Sequence, residues 1–288
     1  MTMSFSRISS STIHRLSKTF NYYVHDFWDH QGDPRIADYP FFNSGPWLTL
    51  TLVGLYLLIV KYFGPMWMRD RKPYDLRRVL VGYNAAMVVL SGYLYYHGSI
   101  MLSFGLDTWG CKPSDPKDFS DETLEFFSLG WLFFVSKLIE FADTFFFVLR
   151  KKNSHISNLH VFHHSTVPIS VWIGMKFYPG ANNSFFPLLN SGVHTFMYTY
   201  YGLAAFVSGA NGSSSYPRIT KLLRTTKKYL TTLQIGQFIL AILHGLHFLV
   251  LPDCAFPKSA LVVNLGNAFI FLGLFYSFYK KSYTRKTD

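Results

Sequence analysis

Apolar residues are grouped along the chain in long blocks with shorter polar connections between them. Seven of these blocks are about as long as a helix that crosses a bilayer, and they cover residues 46–63, 79–97, 124–149, 159–177, 185–206, 229–251 and 260–279. Helices are expected because a backbone exposed to lipid must satisfy its own hydrogen-bonding groups. The pattern therefore predicts an all-α integral membrane protein with seven transmembrane helices.

Polar side chains recur at helical spacing in the third to the sixth predicted spans, which places them on one face of each helix. In span order these residues are Lys137, Glu140, Asp143 and Thr144; His160, His163 and His164; Asn190, His194, Met197, Tyr198 and Tyr201; and Thr231, Gln234, Gln237, His244 and His247. A single stripe is explained by hydrogen bonds between helices or by a structural ion-pair network. Four consecutive stripes favour a shared site, because charged groups that faced lipid would lack partners. The stripes are therefore expected to face one another or a watery cavity.

The composition agrees with a membrane environment. Only 15% of the residues are charged, against about 25% in ordinary soluble domains, while 49% are hydrophobic and 19% are aromatic. The formal net charge of +11 is carried by basic residues between the apolar blocks rather than along one soluble face. An anionic membrane surface or an anionic substrate explains this charge better than a nucleic acid does.

Lysine and arginine are distributed unevenly among the connections. Most of them follow the first, third and fifth spans or lie in the C-terminal tail. Because basic loops tend to stay in the cytosol, the C-terminus is predicted to be cytosolic and the N-terminus, seven spans away, to be luminal. The predicted organisation is a luminal N-terminal segment (1–40), a seven-helix membrane domain (41–280) and a cytosolic basic tail (281–288).

The chain contains 2 cysteines, Cys111 and Cys254. Both lie in predicted luminal loops, and that compartment permits disulfides. We therefore predict a Cys111–Cys254 bridge. Spacing alone fixes no connectivity, so two free thiols remain the alternative.

The histidine cluster at residues 160, 163 and 164 is compatible with three kinds of function. Imidazoles at this spacing also occur in di-iron membrane desaturases and hydroxylases, but that chemistry needs further histidine boxes, and the chain offers a lone His194 and one bare HxxH pair. A neutral imidazole can instead attack an acyl thioester and form an acyl-imidazole, with a neighbouring histidine or carboxylate accepting protons. The third alternative is a receptor or transporter whose stripes only bind a ligand. The iron content of the purified protein separates the first alternative from the second.

Four ordered motifs carry a resemblance to one family of membrane enzymes. They are Lys137–Leu–Ile–Glu140–Phe–Ala–Asp143–Thr144, His160–Val–Phe–His163–His164, Asn190–xxx–His194–xx–Met197–Tyr198–x–Tyr200–Tyr201 and Thr231–xx–Gln234–xx–Gln237. In this order they resemble the signatures of the ELO family, the fatty acid elongases or very-long-chain 3-oxoacyl-CoA synthases of the endoplasmic reticulum. The HxxHH box alone would be a weak signal, whereas the four motifs together are specific.

The resemblance implies a decarboxylative condensation. An acyl-CoA and malonyl-CoA would give a 3-oxoacyl-CoA two carbons longer, with release of CoA and carbon dioxide. By similarity, His163 would take the acyl group and His194 would lie opposite it as acid, base or enolate stabiliser, although His164 remains an alternative nucleophile. The residues expected to orient the site are His160, His164, Glu140 and Asp143. Those expected to contact substrate are Lys137, Asn190, Tyr198, Tyr201, Gln234 and Gln237.

The resemblance also implies a fold, a location and partners. In the family fold the last six helices enclose an acyl tunnel as two inverted three-helix units, an arrangement that the predicted topology allows. The CoA phosphates are expected near cytosolic basic residues that also determine topology, namely Arg150, Lys151, Lys152, Arg224, Lys227 and Lys228. The implied location is the endoplasmic reticulum membrane, with membrane lipid, acyl-CoA, malonyl-CoA and other enzymes of the elongation cycle as partners and a homo-oligomer left open. No metal or other cofactor is expected.

Overall fold

The computed structural model describes residues 10–111, 114–208 and 216–284. Within these ranges the chain forms helices and loops and contains no β-strand. The α-helices are α1 (Ser10–Asn21), α2 (Phe27–Gln31), α3 (Trp47–Leu58), α4 (Gly64–Met68), α5 (Arg77–Met101), α6 (Asp121–Ile139), α7 (Phe141–Leu149), α8 (Asn158–Phe177), α9 (Phe185–Val207), α10 (Pro217–Val250) and α11 (Lys258–Tyr279). The cytosolic tail predicted at 281–288 lies partly outside the described residues.

Most predicted blocks coincide with helices to within a few residues, and the differences have physical reasons. Helix α10 begins at Pro217 and not near residue 229. Its first three turns are rich in lysine and threonine, so hydropathy does not detect them, while the proline suits the first turn of a helix. The third predicted span is interrupted at Glu140, which separates α6 from α7. One π-helical turn, Ile59–Phe63, continues α3 into α4, so the first predicted span is longer than expected.

Four helical stretches in the described part of the chain are long and apolar enough to cross a membrane. They are Trp47–Met68, Arg77–Met101, Pro217–Val250 and Lys258–Tyr283. The chain is therefore a multi-pass membrane protein. The other long helices, α6 with α7, α8 and α9, are those that carry most of the polar stripes. The count of seven spans and the orientation of the termini stay predictions.

Six helices pack in a closed sequence. Helix α5 contacts α6, α6 contacts α8, α8 contacts α11, α11 contacts α10, α10 contacts α9, and α9 returns along α5 in the most extensive helix pairing. Helix α3 packs against α8, and α4 packs against α7. The two predicted three-helix units, α5 to α8 and α9 to α11, are the two halves of this ring. Their inverted relation stays a prediction.

The ring surrounds a cavity of about 170 Å³ that is lined from all six helices. The lining is mostly apolar and aromatic, with Phe133, Val167, Phe238 and Phe271 among its residues. On α8 it extends from Val167 to Met175, which corresponds to about 12 Å along the helix axis. The cavity is therefore elongated parallel to the axis of α8, and it is apolar over most of this length.

A disulfide and two histidine contacts connect the loops that follow α5 and α10. Cys111 and Cys254 form a disulfide with a Cα–Cα distance of 5.5 Å, which is the pairing expected from the sequence. Beside it, the Nε2 atoms of His244 and His247 bond the carbonyl oxygens of Thr108 and Trp109 at 3.0 and 3.1 Å. These two histidines, from the polar stripe of the sixth predicted span, therefore bind the loop that follows α5 and lie further along α10 than the glutamines of the same stripe.

The segment before α3 is folded onto the ring and is not a free extension. The indole of Trp172 and the ammonium of Lys176, both on α8, donate to the carbonyl oxygens of Phe41 and Phe42 at 2.8 and 2.7 Å. The buried guanidinium of Arg35 bonds the Asp33 carboxylate and lies 4.6 Å from the Phe127 ring centroid. This predicted luminal segment thus covers α6 and α8 at the same end as the disulfide.

Candidate functional site

Local sequence signals place the histidine box at the beginning of α8. The Ser157 hydroxyl caps the helix by accepting from the backbone N–H of His160 at 3.2 Å, as expected of an N-cap serine. The helix continues through Pro168, which lies four residues after His164 and provides no N–H for the carbonyl of that residue. The three imidazoles therefore lie in the first two turns, before a helix-weakening proline.

The stripes of α6 and α9 meet in a buried ion-pair cluster. The Lys137 ammonium is 3% exposed and lies 2.6 Å from Glu140 Oε1 and 2.9 Å from Asn190 Oδ1. The same Glu140 oxygen is 3.1 Å from His194 Nδ1. The Lys137 ammonium also lies 3.4 Å from His194 Nδ1, so this atom contacts both an acceptor, Glu140, and a donor, Lys137. Neither of these contacts involves the Nε2 atom of His194.

Asp143 forms a second buried contact one turn further along the chain. The Tyr198 hydroxyl donates to Asp143 Oδ2 at 2.8 Å. The ring of Tyr198 packs edge-on against His194, with 5.7 Å between the centroids, and against Tyr83 of α5, at 6.1 Å. Asp143 and Tyr198 therefore hold one side of His194, whereas Glu140 and Lys137 hold the other.

His160 is held by hydroxyl groups rather than by a carboxylate. Its Nε2 atom lies 2.8 Å from Thr144 Oγ1, which in turn lies 3.0 Å from the Tyr56 hydroxyl. The His160 ring is packed on that of His164, with 4.2 Å between the centroids. Tyr56 comes from α3, and sequence reasoning missed it because a single tyrosine in an apolar span gives no periodic signal.

The two adjacent histidines have different surroundings. His164 is 8% exposed and lies against His160. His163 is half-buried and lies 5.1 Å, centroid to centroid, from Phe271 of α11, which is a wall of the cavity. Of the two, His163 is therefore the imidazole beside the cavity wall.

The polar stripes continue the faces that line the cavity. Phe133 lies one turn before Lys137, Val167 one turn after His163, and Ser191 one turn before His194, and all three lining residues are on the face of the stripe. The interior of the ring is thus polar at one end and apolar at the other. The cavity itself ends about one turn short of the histidines.

Three expected substrate contacts lie near this site without bonding it. Gln234 Nε2 is 3.5 Å from Met197 Sδ. Gln237 is buried, and its Oε1 atom has no hydrogen-bond partner among the described residues. Tyr201 remains 41% exposed and packs edge-on against Tyr198. All three residues therefore lie on α9 or α10, two helices of the ring. The contacts given above for their side chains do not include His163.

The basic residues that are predicted to be cytosolic separate into three groups. Lys151 bonds the carbonyl oxygen of Arg69 at 3.0 Å, so it joins the end of α7 to the end of α4. Lys152 and Arg150 instead lie near His155, as does Lys227 from α10 across the ring. Partial burial, and then these three cations, lower the pKa of His155.

Lys228 and Arg224 are also on α10. The Lys228 ammonium lies 5.9 Å from the Tyr279 ring centroid, while Arg224 is exposed. Neither residue is among the cations that lower the pKa of His155. The cationic group around His155 is therefore the part of the predicted CoA-binding set that converges from two sides of the ring.

No three histidine, cysteine, aspartate or glutamate side chains in the described ranges are arranged to hold a metal ion. The imidazoles of the box bond or stack on hydroxyl and aromatic groups, whereas ligands of a di-iron centre would converge on common points. The donor arrangement around the box therefore does not favour the desaturase alternative.

Fold and site together define a multi-pass membrane protein with a buried histidine–carboxylate site above an apolar cavity. A sequence model of the GNS1/SUR4 family matches residues 41–288. The protein named very long chain fatty acid elongase 7 of Drosophila melanogaster is 40% identical over 261 residues, which are 91% of this chain and 76% of the relative. Two mouse proteins are similar: very long chain fatty acid elongase 1 is 38% identical over 91% of this chain and 89% of its own length, and elongase 4 is 39% identical over 95% and 84%. The chain belongs to the ELO family.

Proposed function

We propose that the protein elongates very long chain fatty acids by decarboxylative condensation of an acyl-CoA with malonyl-CoA. The observation that carries the proposal is the arrangement inside the ring, where the stripes that contain His163 and His194 continue the faces lining an apolar cavity. A flexible acyl chain matches such a cavity, and its thioester then lies at the polar end. The names of the similar proteins support the same reaction class.

The first step assigns His163 as the nucleophile. A lone pair of its neutral imidazole attacks the thioester carbonyl carbon and forms a C–N bond. The C–S bond breaks, the CoA sulfur leaves with the electron pair, and the proton from the other imidazole nitrogen is released to it. The product is an acyl-imidazole with its chain in the cavity. The position of His163 beside the cavity wall favours it over His164, which is buried against His160.

The second step uses His194. Malonyl-CoA loses carbon dioxide, and the electrons of the broken C–C bond form the enolate of the acetyl thioester. The enolate carbon attacks the acyl carbon, the C–N bond breaks, and the electron pair returns to His163, which takes up one proton from water. The overall condensation consumes this proton, because the proton that His163 lost in the first step left with the CoA thiol. The Nε2–H group of His194 can donate to the enolate oxygen, and the Glu140 carboxylate supports positive charge on that ring.

The test of this proposal is incubation of the purified protein in lipid nanodiscs with acyl-CoA and carboxyl-labelled malonyl-CoA. We expect stoichiometric release of labelled carbon dioxide and formation of a 3-oxoacyl-CoA that is two carbons longer. Binding of both substrates without release of carbon dioxide would point to a transporter or receptor instead.

We also propose that the CoA phosphates bind at the cationic group Lys152, Arg150 and Lys227. These residues approach from the α7–α8 loop and from α10, and together they lower the pKa of His155. A bound phosphate would offset this positive field. Addition of CoA should therefore raise the pKa of His155, which can be followed by NMR.

Kinetics give a second test of the same group. We expect Lys152→Gln and Lys227→Gln each to raise KM for acyl-CoA about twofold to fivefold with little change in kcat, the range for one partly exposed ion pair. Lys221→Gln removes an equal charge from the same helix as Lys227 and should leave KM unchanged. Equal effects at all three positions would indicate a general surface-charge effect and not a binding site.

The location and partners follow from this chemistry as proposals. The site would face the cytosol from the endoplasmic reticulum membrane, with the disulfide end in the lumen, because soluble CoA esters must reach the basic end of the ring. A 3-oxoacyl-CoA still carries a ketone, so a reductase must consume the product. We propose that other enzymes of the elongation cycle are neighbours in the membrane.

A further inference from the structure

Tyr56 connects a helix outside the six-helix ring to the histidine box. Its side chain is 1% exposed, and its ring is stacked on Phe141 with 4.4 Å between the centroids. The hydroxyl lies 3.0 Å from Thr144 Oγ1, and Thr144, which is fully buried, lies 2.8 Å from His160 Nε2. Three polar groups on α3, α7 and α8 therefore form one continuous hydrogen-bonded line, in which Tyr56 and Thr144 are buried and His160 is partly exposed.

The number of protons on these three groups determines which group donates in each of the two hydrogen bonds. Within residues 10–111, 114–208 and 216–284, Thr144 is the hydrogen-bond partner of the Tyr56 hydroxyl. If Tyr56 donates to Thr144, then Thr144 donates to Nε2 of His160, and both hydroxyl protons are used. If His160 donated from Nε2, three protons would share these two contacts, because Thr144 would either donate to Tyr56 or accept from both neighbours, and one buried hydroxyl proton would lack an acceptor among the described residues. An unpaired buried donor is unfavourable, so the first direction is preferred.

The direction of donation along this line determines which ring nitrogen of His160 carries the proton. An Nε2 atom that accepts from Thr144 has no proton, so the neutral ring carries its proton on Nδ1. The same contacts fix the plane of the ring, which is packed on His164 at 4.2 Å. His164 in turn neighbours His163, with 5.2 Å between the ring centroids. A hydroxyl on α3 is thus connected to the reacting imidazole of His163 through three intermediate side chains, Thr144, His160 and His164.

We propose that Tyr56 is a positioning residue of the condensation reaction, which sets the tautomer and orientation of His160 through Thr144. The functional part of this inference rests on the proposed function. The tautomer itself does not, because it follows from the hydrogen-bond geometry alone.

Tyr56→Phe is the primary variant, because it removes the hydroxyl and retains the ring on Phe141. We expect kcat to fall about tenfold with KM unchanged, as for loss of a group that orients a reacting side chain. Thr144→Val should cost at least as much, and the double variant should be no slower than Thr144→Val alone, because Tyr56 acts only through Thr144. Thr144→Ser retains the hydroxyl and should preserve most of kcat.

Tyr39→Phe is the matched control. The Tyr39 hydroxyl bonds Leu124 O and Ser128 Oγ at the opposite end of the ring, so its loss affects packing and not the histidine box. We expect wild-type kcat for this variant. We call the action of Tyr56 on His160 through Thr144 the relay. An unchanged kcat in Tyr56→Phe, or losses that multiply in the double variant, would overturn it.

A spectroscopic readout separates the relay from the reaction. With ¹⁵N-labelled histidine, the His160 signal, assigned with His160→Gln, should show the Nδ1-protonated neutral form in the wild type and a mixture of tautomers in Tyr56→Phe. This result is independent of turnover, so it tests the relay even if the protein makes no 3-oxoacyl-CoA. A wild-type His160 protonated at Nε2 would contradict the inference directly.

Discussion

Replacing His163 with alanine is expected to give a folded protein that makes no 3-oxoacyl-CoA. The side chain is half-buried beside Phe271, so its removal leaves the helix contacts of α8 and α11 largely intact. The acyl-imidazole can no longer form, and kcat should fall more than about a thousandfold, as for loss of other covalent nucleophiles. Carbon dioxide release measures the loss, and the thermal unfolding midpoint in detergent checks the fold.

His164→Ala is the matched comparison because it removes the adjacent imidazole of the same box. His164 packs on His160, so its loss should disturb orientation and slow turnover while acylation continues. If His164→Ala were inactive and His163→Ala retained turnover, the nucleophile would be His164. That result would reverse the assignment of the two imidazoles while leaving the reaction class intact.

Replacing Glu140 with alanine is expected to have the largest effect on stability. Glu140 is 1% exposed and neutralises the buried Lys137 ammonium at 2.6 Å. Removing it leaves a lysine charge buried without its counter-ion, which costs about 3–5 kcal/mol. The carboxylate also holds Nδ1 of His194, so activity should be lost together with stability. The unfolding midpoint and expression yield in detergent measure the effect.

The double variant Lys137→Met with Glu140→Leu separates charge burial from packing. It removes both charges at similar volume, and replacing a buried ion pair in this way is often neutral or stabilising. We expect it to recover most of the unfolding midpoint that Glu140→Ala loses, without recovering turnover. A double variant as unstable as Glu140→Ala would show that the cluster contributes through its shape and hydrogen bonds and not through charge compensation.

The meeting of the polar stripes could be predicted from the sequence because the physical argument needs no coordinates. Charged groups on apolar helices require partners, and the structure brings Lys137, Glu140 and His194 together from α6 and α9. The helical faces were likewise predictable from spacing alone, since each stripe continues the face that lines the cavity.

The remaining details depend on relations between distant segments that periodicity does not contain. Tyr56 reaches the box only because α3 packs on α8, and no pattern in its own span distinguishes it from other apolar-helix tyrosines. Lys151 bonds the Arg69 carbonyl oxygen from a backbone with φ 52°, a contact that the sequence pattern does not predict. That contact depends on where α4 and α7 end, and helix ends are poorly specified by hydropathy.

The central claim is an acyl-histidine intermediate at His163, and mass spectrometry of the intact protein tests it most directly. The protein is incubated with acyl-CoA alone, its mass is measured, and the modified peptide is mapped. We predict an added mass equal to one acyl group on the peptide that contains His163, absent in His163→Ala and removed when malonyl-CoA is added with release of the elongated product. A wild-type protein that forms 3-oxoacyl-CoA at full rate without ever carrying an acyl group would contradict the claim.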